Sequence, residues 1–186
     1  MAKHLHLLTS LLALLLTPSC LFLRQNQHSY ILAPENGVSS AAQATRTLEA
    51  VKLPGYLDRH EMVYLAKNGE LVKVGKSKWA QPLGALLKDS LTMALRQSDR
   101  ATASKASVVL ELEQFLMDAT GAFHVAGILS LHSETTPTLR VPIAFSLPSL
   151  GAPSAERIVI QSRAALARLA DAICAVELPP SAGSEP

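Results

Sequence analysis

The strongest periodic signal in the chain lies between Leu83 and Leu95. Leu83, Leu86, Leu87, Leu91, Ala94 and Leu95 recur at spacings of three and four, while Lys88, Asp89 and Arg96 fall elsewhere. That spacing predicts a helix with one apolar face. Pro82 suits its first turn, where a missing N–H costs nothing, and Trp79 is expected to pack against its base. A second long helix is expected over 154–178, with Ser154 as N-cap and Glu156 and Arg157 in the first turn.

Elsewhere the period is two. In 107–117 Val108, Leu110 and Leu112 point one way and Glu111 and Glu113 the other. Phe123, Val125, Leu129 and Leu131 form the buried row of a second strand, and Leu139, Val141, Ile143, Phe145 and Leu147 that of a third. Pro142 lies on the outward row and cannot donate to a ladder, which places it on an edge strand or at a bulge. Shorter strands are expected at 29–34 and 47–54, each stopped by a proline, with a Ser/Ala-rich loop between them.

The stretch "EMVYLAKNGELVKVGKSKW" (61–79) reads as a hairpin. Asn68-Gly69 predicts a two-residue turn in which both positions take positive φ, so that Lys67 faces Glu70 and Leu65 faces Val72. Runs of strands with two long one-faced helices predict an α+β domain: a largely antiparallel sheet with the two long helices packed on one face and the other face wet. Strand order does not follow from the pattern.

Length and composition narrow the chemistry. A chain of 186 residues is one domain's worth. Its formal net charge is +2, with charges interspersed, and aromatics are only 4%, so neither an electrostatic footprint for nucleic acid nor base-stacking platforms are supplied. Nucleotide is disfavoured as well. A phosphate loop needs four residues between its first Gly and Gly-Lys, whereas five extended residues separate Gly69 from Gly75-Lys76.

The N-terminus carries a sorting signal. Lys3 precedes an apolar run, Leu5 to Leu16, too short to span a bilayer, and "TPSC" follows, ending at Cys20. Residues 1–19 read as a signal peptide. A cysteine in that place looks like the lipid-modified Cys of a bacterial lipoprotein, with Ser19 as the small residue before the cleavage point, the alternative being ordinary cleavage and an unmodified Cys20. The segment before it departs from the usual lipobox, with Thr17 and Pro18 where an aliphatic and a small residue are usual. Residues 20–28 read as a tether, 29–178 as one domain and 179–186 as a disordered tail. Leu21, where an inner-membrane retention signal has Asp, favours the outer membrane in a Gram-negative cell. Cys174 sits among Leu166, Leu169, Ala170 and Ile173 at helical spacing, as a small buried apolar side chain.

Catalytic and metal readings find little support. In an extended stretch Glu61 points away from Asp58 and His60, and His124 and His132 share a face but lie roughly 26 Å apart at strand rise. No G-x-S-x-G elbow occurs, and the chain is read as non-enzymatic and without cofactor.

"YILAP", "VKLPGYLDRHEMV" and "WAQPLGALLKDSL" together resemble the ABC-type transport auxiliary lipoprotein family (PqiC/YmbA-like). The specific motifs lie between about residues 29 and 96, and His60-Glu61 departs from the commoner Pro-Gln type pair. The resemblance implies a lipid-anchored subunit on the periplasmic face of the outer membrane. It would work beside an MCE-domain protein in intermembrane lipid transport, as a homo-oligomeric ring. The alternative is a free-standing envelope protein that binds a lipid or small amphiphile between helices and sheet. For partner or subunit contact the expected residues are Tyr56, Leu57, Asp58 and Arg59, on a bend between strands, together with Trp79. The competing reading has Asp58 and Arg59 pairing locally while Tyr56 and Leu57 fill the sheet end.

Overall fold

The computed structural model describes residues 28–33, 46–97, 106–133 and 137–177. The expected signal peptide, Cys20, most of the tether and Ser/Ala-rich loop, and the tail lie outside the described residues.

The order is β1 (Ser29–Tyr30), β2 (Arg46–Lys52), β3 (Glu61–Leu65), β4 (Leu71–Trp79), α1 (Leu83–Gln97), β5 (Ala106–Asp118), β6 (Phe123–His132), β7 (Leu139–Leu147) and α2 (Ala155–Ala175). All seven strands join one sheet with the path β1-β4-β3-β5-β6-β7, and β2 joins it on β5. The long ladders, β5 with β6 and β6 with β7, are antiparallel, as the alternation predicts. β1 with β4, β2 with β5 and β3 with β5 are parallel, so the sheet is mixed. Parallel partners are joined by long connections, and no local turn signal announces them.

β5 organises the sheet because one of its edges is divided. β2 runs along its first half, to Lys52 opposite Glu111, and β3 meets only its end, with Tyr64 opposite Met117 and Leu65 opposite Asp118. Residues 112–116 lie in the interval between. A bulge falls in that interval, between Leu112 and Gln114. The buried row Val108, Leu110, Leu112 therefore resumes at Phe115 and Met117, and Glu113 and Gln114 are both exposed.

Two turns have the same construction. Ala66 N–H donates to Glu70 O at 2.8 Å and Gly69 N–H to Ala66 O at 2.9 Å; likewise Asp118 N–H donates to Ala122 O at 2.8 Å and Gly121 N–H to Asp118 O at 3.0 Å. Each is a three-residue loop whose glycine takes positive φ, 82° at Gly69 and 86° at Gly121. The expected two-residue turn at Asn68-Gly69 is thus corrected by one place: Leu65 faces Leu71 and Val72 faces Tyr64. Asn68 Oδ1 accepts from Glu70 N–H, which stabilises the longer loop.

α1 and α2 lie side by side on one face of the sheet and bury its leucine-rich row. α1 contributes Leu83, Leu86, Leu87, Leu91 and Leu95; α2 contributes Ile158, Leu166, Leu169 and Ile173. Ser154 Oγ accepts from Arg157 N–H and caps α2 as expected. Cys174 is half-buried and packs against this core. Pro142, opposite Ile128, lies on β7 at one end of the strand order, the edge position its missing N–H requires. The other face of the sheet carries paired charges: Glu111 with Lys52 at 2.7 Å and Arg140 at 3.5 Å, and Glu61 with Lys73 at 2.9 Å.

Candidate functional site

The bend from Leu53 to His60 joins β2 to β3 and crosses the unpaired interval of β5. Pro54 starts it, because Pro54 O accepts from Leu57 N–H at 2.8 Å and Asp58 N–H at 3.1 Å and so reverses the chain. Because β2 pairing ends at Glu111 and β3 pairing begins at Met117, the carbonyl of Glu113 has no strand partner on this edge. The Tyr56 hydroxyl donates to that oxygen at 2.9 Å and takes the place of the missing strand.

The next residues fasten the bend to α1. Asp58 Oδ1 accepts from Gly84 N–H at 2.9 Å, which satisfies a first-turn donor of the helix and places a negative charge at its positive end. Arg59 O accepts from Leu83 N–H at 3.3 Å. Gly84 suits this contact, since a Cβ there would stand 3.0 Å from the carboxylate oxygen. Trp79 N–H donates to His60 O at 2.6 Å, which ties the end of β4 to the end of the bend.

The structure therefore brings Tyr56, Leu57, Asp58, Arg59 and Trp79 together but divides them by direction. Leu57 is 2% exposed and Trp79 3%, and both face inward. Tyr56 is 43% exposed, Asp58 is exposed and Arg59 is half-buried. Beneath the bend lies a narrow crevice lined by Leu57, Val63, Trp79, Phe115, Leu116 and Ile158. Its free space is about 10 Å³, room for one water molecule and not for an acyl chain.

The three residues weighed as a metal site are committed to different partners. Asp58 caps α1, the His60 ring nitrogen Nδ1 lies 3.3 Å from Trp79 O, and Glu61 pairs with Lys73. Lys73 also holds the Glu61 carboxyl below its usual range, chiefly through that hydrogen bond.

Two electrostatic features escaped the reading of the sequence. Arg46 is 5% exposed, and its guanidinium donates to Val176 O at the C-terminal end of α2, a helix whose own last turn has no basic residue. Its burial pulls the guanidinium pKa down. The second is Asp118, at the turn beside β3. Burial would raise its carboxyl pKa, but bonds from the Thr120 hydroxyl at 2.6 Å, from His124 at 2.9 Å and from two backbone N–H groups prevail and bring it to about 2. His124 in turn lies 2.9 Å from Ser146 Oγ. The sequence holds no local sign of this chain, because β6 and β7 bring His124 and Ser146 opposite each other only in the folded sheet.

Among the described residues no helix is long and apolar enough to cross a membrane. The fold is similar to that of a crystallised uncharacterized protein, with a TM-score of 0.64 and 17% identity over 81% of this chain and 97% of that one. It is also similar to a Xanthomonas campestris protein described with the family model DUF330, with a TM-score of 0.55 and 16% identity over 78% and 90% of the two chains. No curated protein matches the sequence. Residues 30–174 match the family described as the ABC-type transport auxiliary lipoprotein component, a span that leaves out only the first residue of the sheet and the last of α2, and the chain belongs to that family.

Proposed function

We propose that this chain is a non-catalytic, lipid-anchored subunit of an MCE-type intermembrane lipid transport system. It acts on the periplasmic face of the outer membrane, assembles with copies of itself and contributes to envelope integrity. Membership of an auxiliary lipoprotein family supports the transport role. The observation that carries the contact role is the bend over β5. Its reactive-looking groups are already engaged, Tyr56 with Glu113 O and Asp58 with Gly84 N–H, so what it offers a partner is a fixed shape. An exposed tyrosine ring held by its own hydroxyl is a preorganised contact, since little rotamer freedom is lost when a partner covers it.

A pull-down from detergent-solubilised envelopes, with the recovered complex sized by mass, tests the proposal. Recovery of an oligomer together with an MCE-domain protein is expected. Recovery of a monomer without partners overturns it.

A further inference from the structure

We infer that Cys174 is a site of reversible thiol–disulfide exchange, with the Arg46 guanidinium as the positive charge beside its sulfur. The chain has two cysteines, and Cys20 is taken by the proposed anchor, so Cys174 supplies the thiol. It stands in the last turn of α2 and is half-buried, packed against the core yet partly open to solvent. A thiol in such a place is not a site unless something prepares it. Arg46 does so. It begins β2, opposite Ala106 on β5, and its guanidinium reaches the end of α2, where it donates to Val176 O, two residues beyond the cysteine.

Arg46 is 5% exposed, and its Nε and Nη1 are buried with no hydrogen-bond partner among the described residues. A buried cation with two unused donors calls for a negative neighbour. Asp171 and Glu177, the nearest carboxylates along the chain, are exposed, and neither pairs with Arg46 among the described residues. The group that answers it is Cys174. Burial lowers the guanidinium pKa, and negative charge on the Cys174 sulfur works the other way. Positive charge beside a thiol favours the ionised sulfur, which is the nucleophile. In the exchange that sulfur, having given up its proton, attacks one sulfur of a small disulfide. The S–S bond of the reagent breaks and a new one forms to Cys174. The departing sulfur takes the electron pair and a proton, so one thiol is consumed and one released. The same positive charge eases the departure of Cys174, so a small thiol in excess reverses the step. In the compartment proposed above disulfides persist, and the anchored chain has no second thiol with which to close an internal bridge.

The test uses the full chain carrying Cys20→Ser, in which Cys174 is the remaining thiol, and dipyridyl disulfide as the reagent. Attachment is followed by the absorbance of the released thiopyridone and by intact mass, and removal by adding excess glutathione. The expected result is exchange at Cys174 in the folded protein, undone by the added thiol. Attachment should slow roughly three- to tenfold with Arg46→Met and stay near the original rate with Arg46→Lys, which keeps the charge. A thermal melt of each variant separates this effect from loss of fold. Equal rates in all three chains overturn the inference. So does exchange that occurs only in urea, which the chain with Arg46 intact reports whether or not Arg46→Met folds. The pull-down with an MCE-domain protein tests the transport reading separately, and neither result decides the other.

Discussion

Replacing Asp118 by Asn removes one charge and keeps the side chain's shape. The wild-type carboxyl sits at about 2 rather than 3.8, because four hydrogen bonds to the ionised form outweigh the burial that opposes them. A difference of nearly two pH units corresponds to ~2.5 kcal/mol. The side chain is 26% exposed, so solvent screening reduces the expected loss to roughly 2 kcal/mol. A depressed folded-state pKa contributes stability that is fully present above the unfolded value, near 4, and is lost as pH falls through the folded value, near 2. Urea unfolding followed by circular dichroism, at pH 7 and in steps from pH 5 to 2, measures this directly. Asp118→Asn should be less stable by about 2 kcal/mol at pH 7, a fall in Tm of about 4–8 °C. The gap should narrow below pH 4 and close near pH 2. A variant as stable as wild type at pH 7, or a deficit that does not change with pH, would refute this account of the turn.

Leu57→Ala should cost about 2–5 kcal/mol in urea unfolding, because the side chain is 2% exposed and plugs the crevice between β3 and β5. Asp58→Ala removes the acceptor for Gly84 N–H and should cost about 1 kcal/mol, with Asp58→Asn recovering most of it. Gly121→Ala puts a Cβ 1.9 Å from Gly151 O at a φ of 86°, and should cost about 2 kcal/mol or more in a thermal melt. Tyr56→Phe loses the bond to Glu113 O and should cost about 1 kcal/mol, with the ring still available to a partner in the pull-down.

What the sequence made legible was what one element determines by itself. The face of α1, the cap at Ser154 and the edge position of Pro142 follow from spacing, a side-chain acceptor and a missing donor, and each stands as expected. The bulge in β5 was also written in the chain, as the change from Leu112 to Phe115 and Met117, a step of three within a period of two. Register was harder. Asn-Gly fits a two-residue loop and a three-residue loop with glycine in the left-handed region, and one place of difference moves every partner along the ladder. The parallel strands were hidden altogether, since a seven-residue strand that pairs across an intervening helix carries the same alternation as one that pairs with its neighbour.

The candidate site shows the same division within five residues. Leu57 and Trp79 are the kind of side chain that fills a core or anchors a partner, and their identity does not choose between the two. Topology chooses, because β2 and β3 share one edge of β5 and leave a gap that Leu57 must fill and that Trp79 closes from the end of β4. With those two turned inward, the bend is held rigidly from below. Its hydrogen bonds then fix Tyr56 and Asp58 in place, so the outward surface is set by the fold before any partner arrives. The contact surface proposed above lies at the join between the split sheet and the first turn of α1. Substitutions in the crevice should therefore weaken partner binding through loss of position, and substitutions of the exposed ring through loss of contact area.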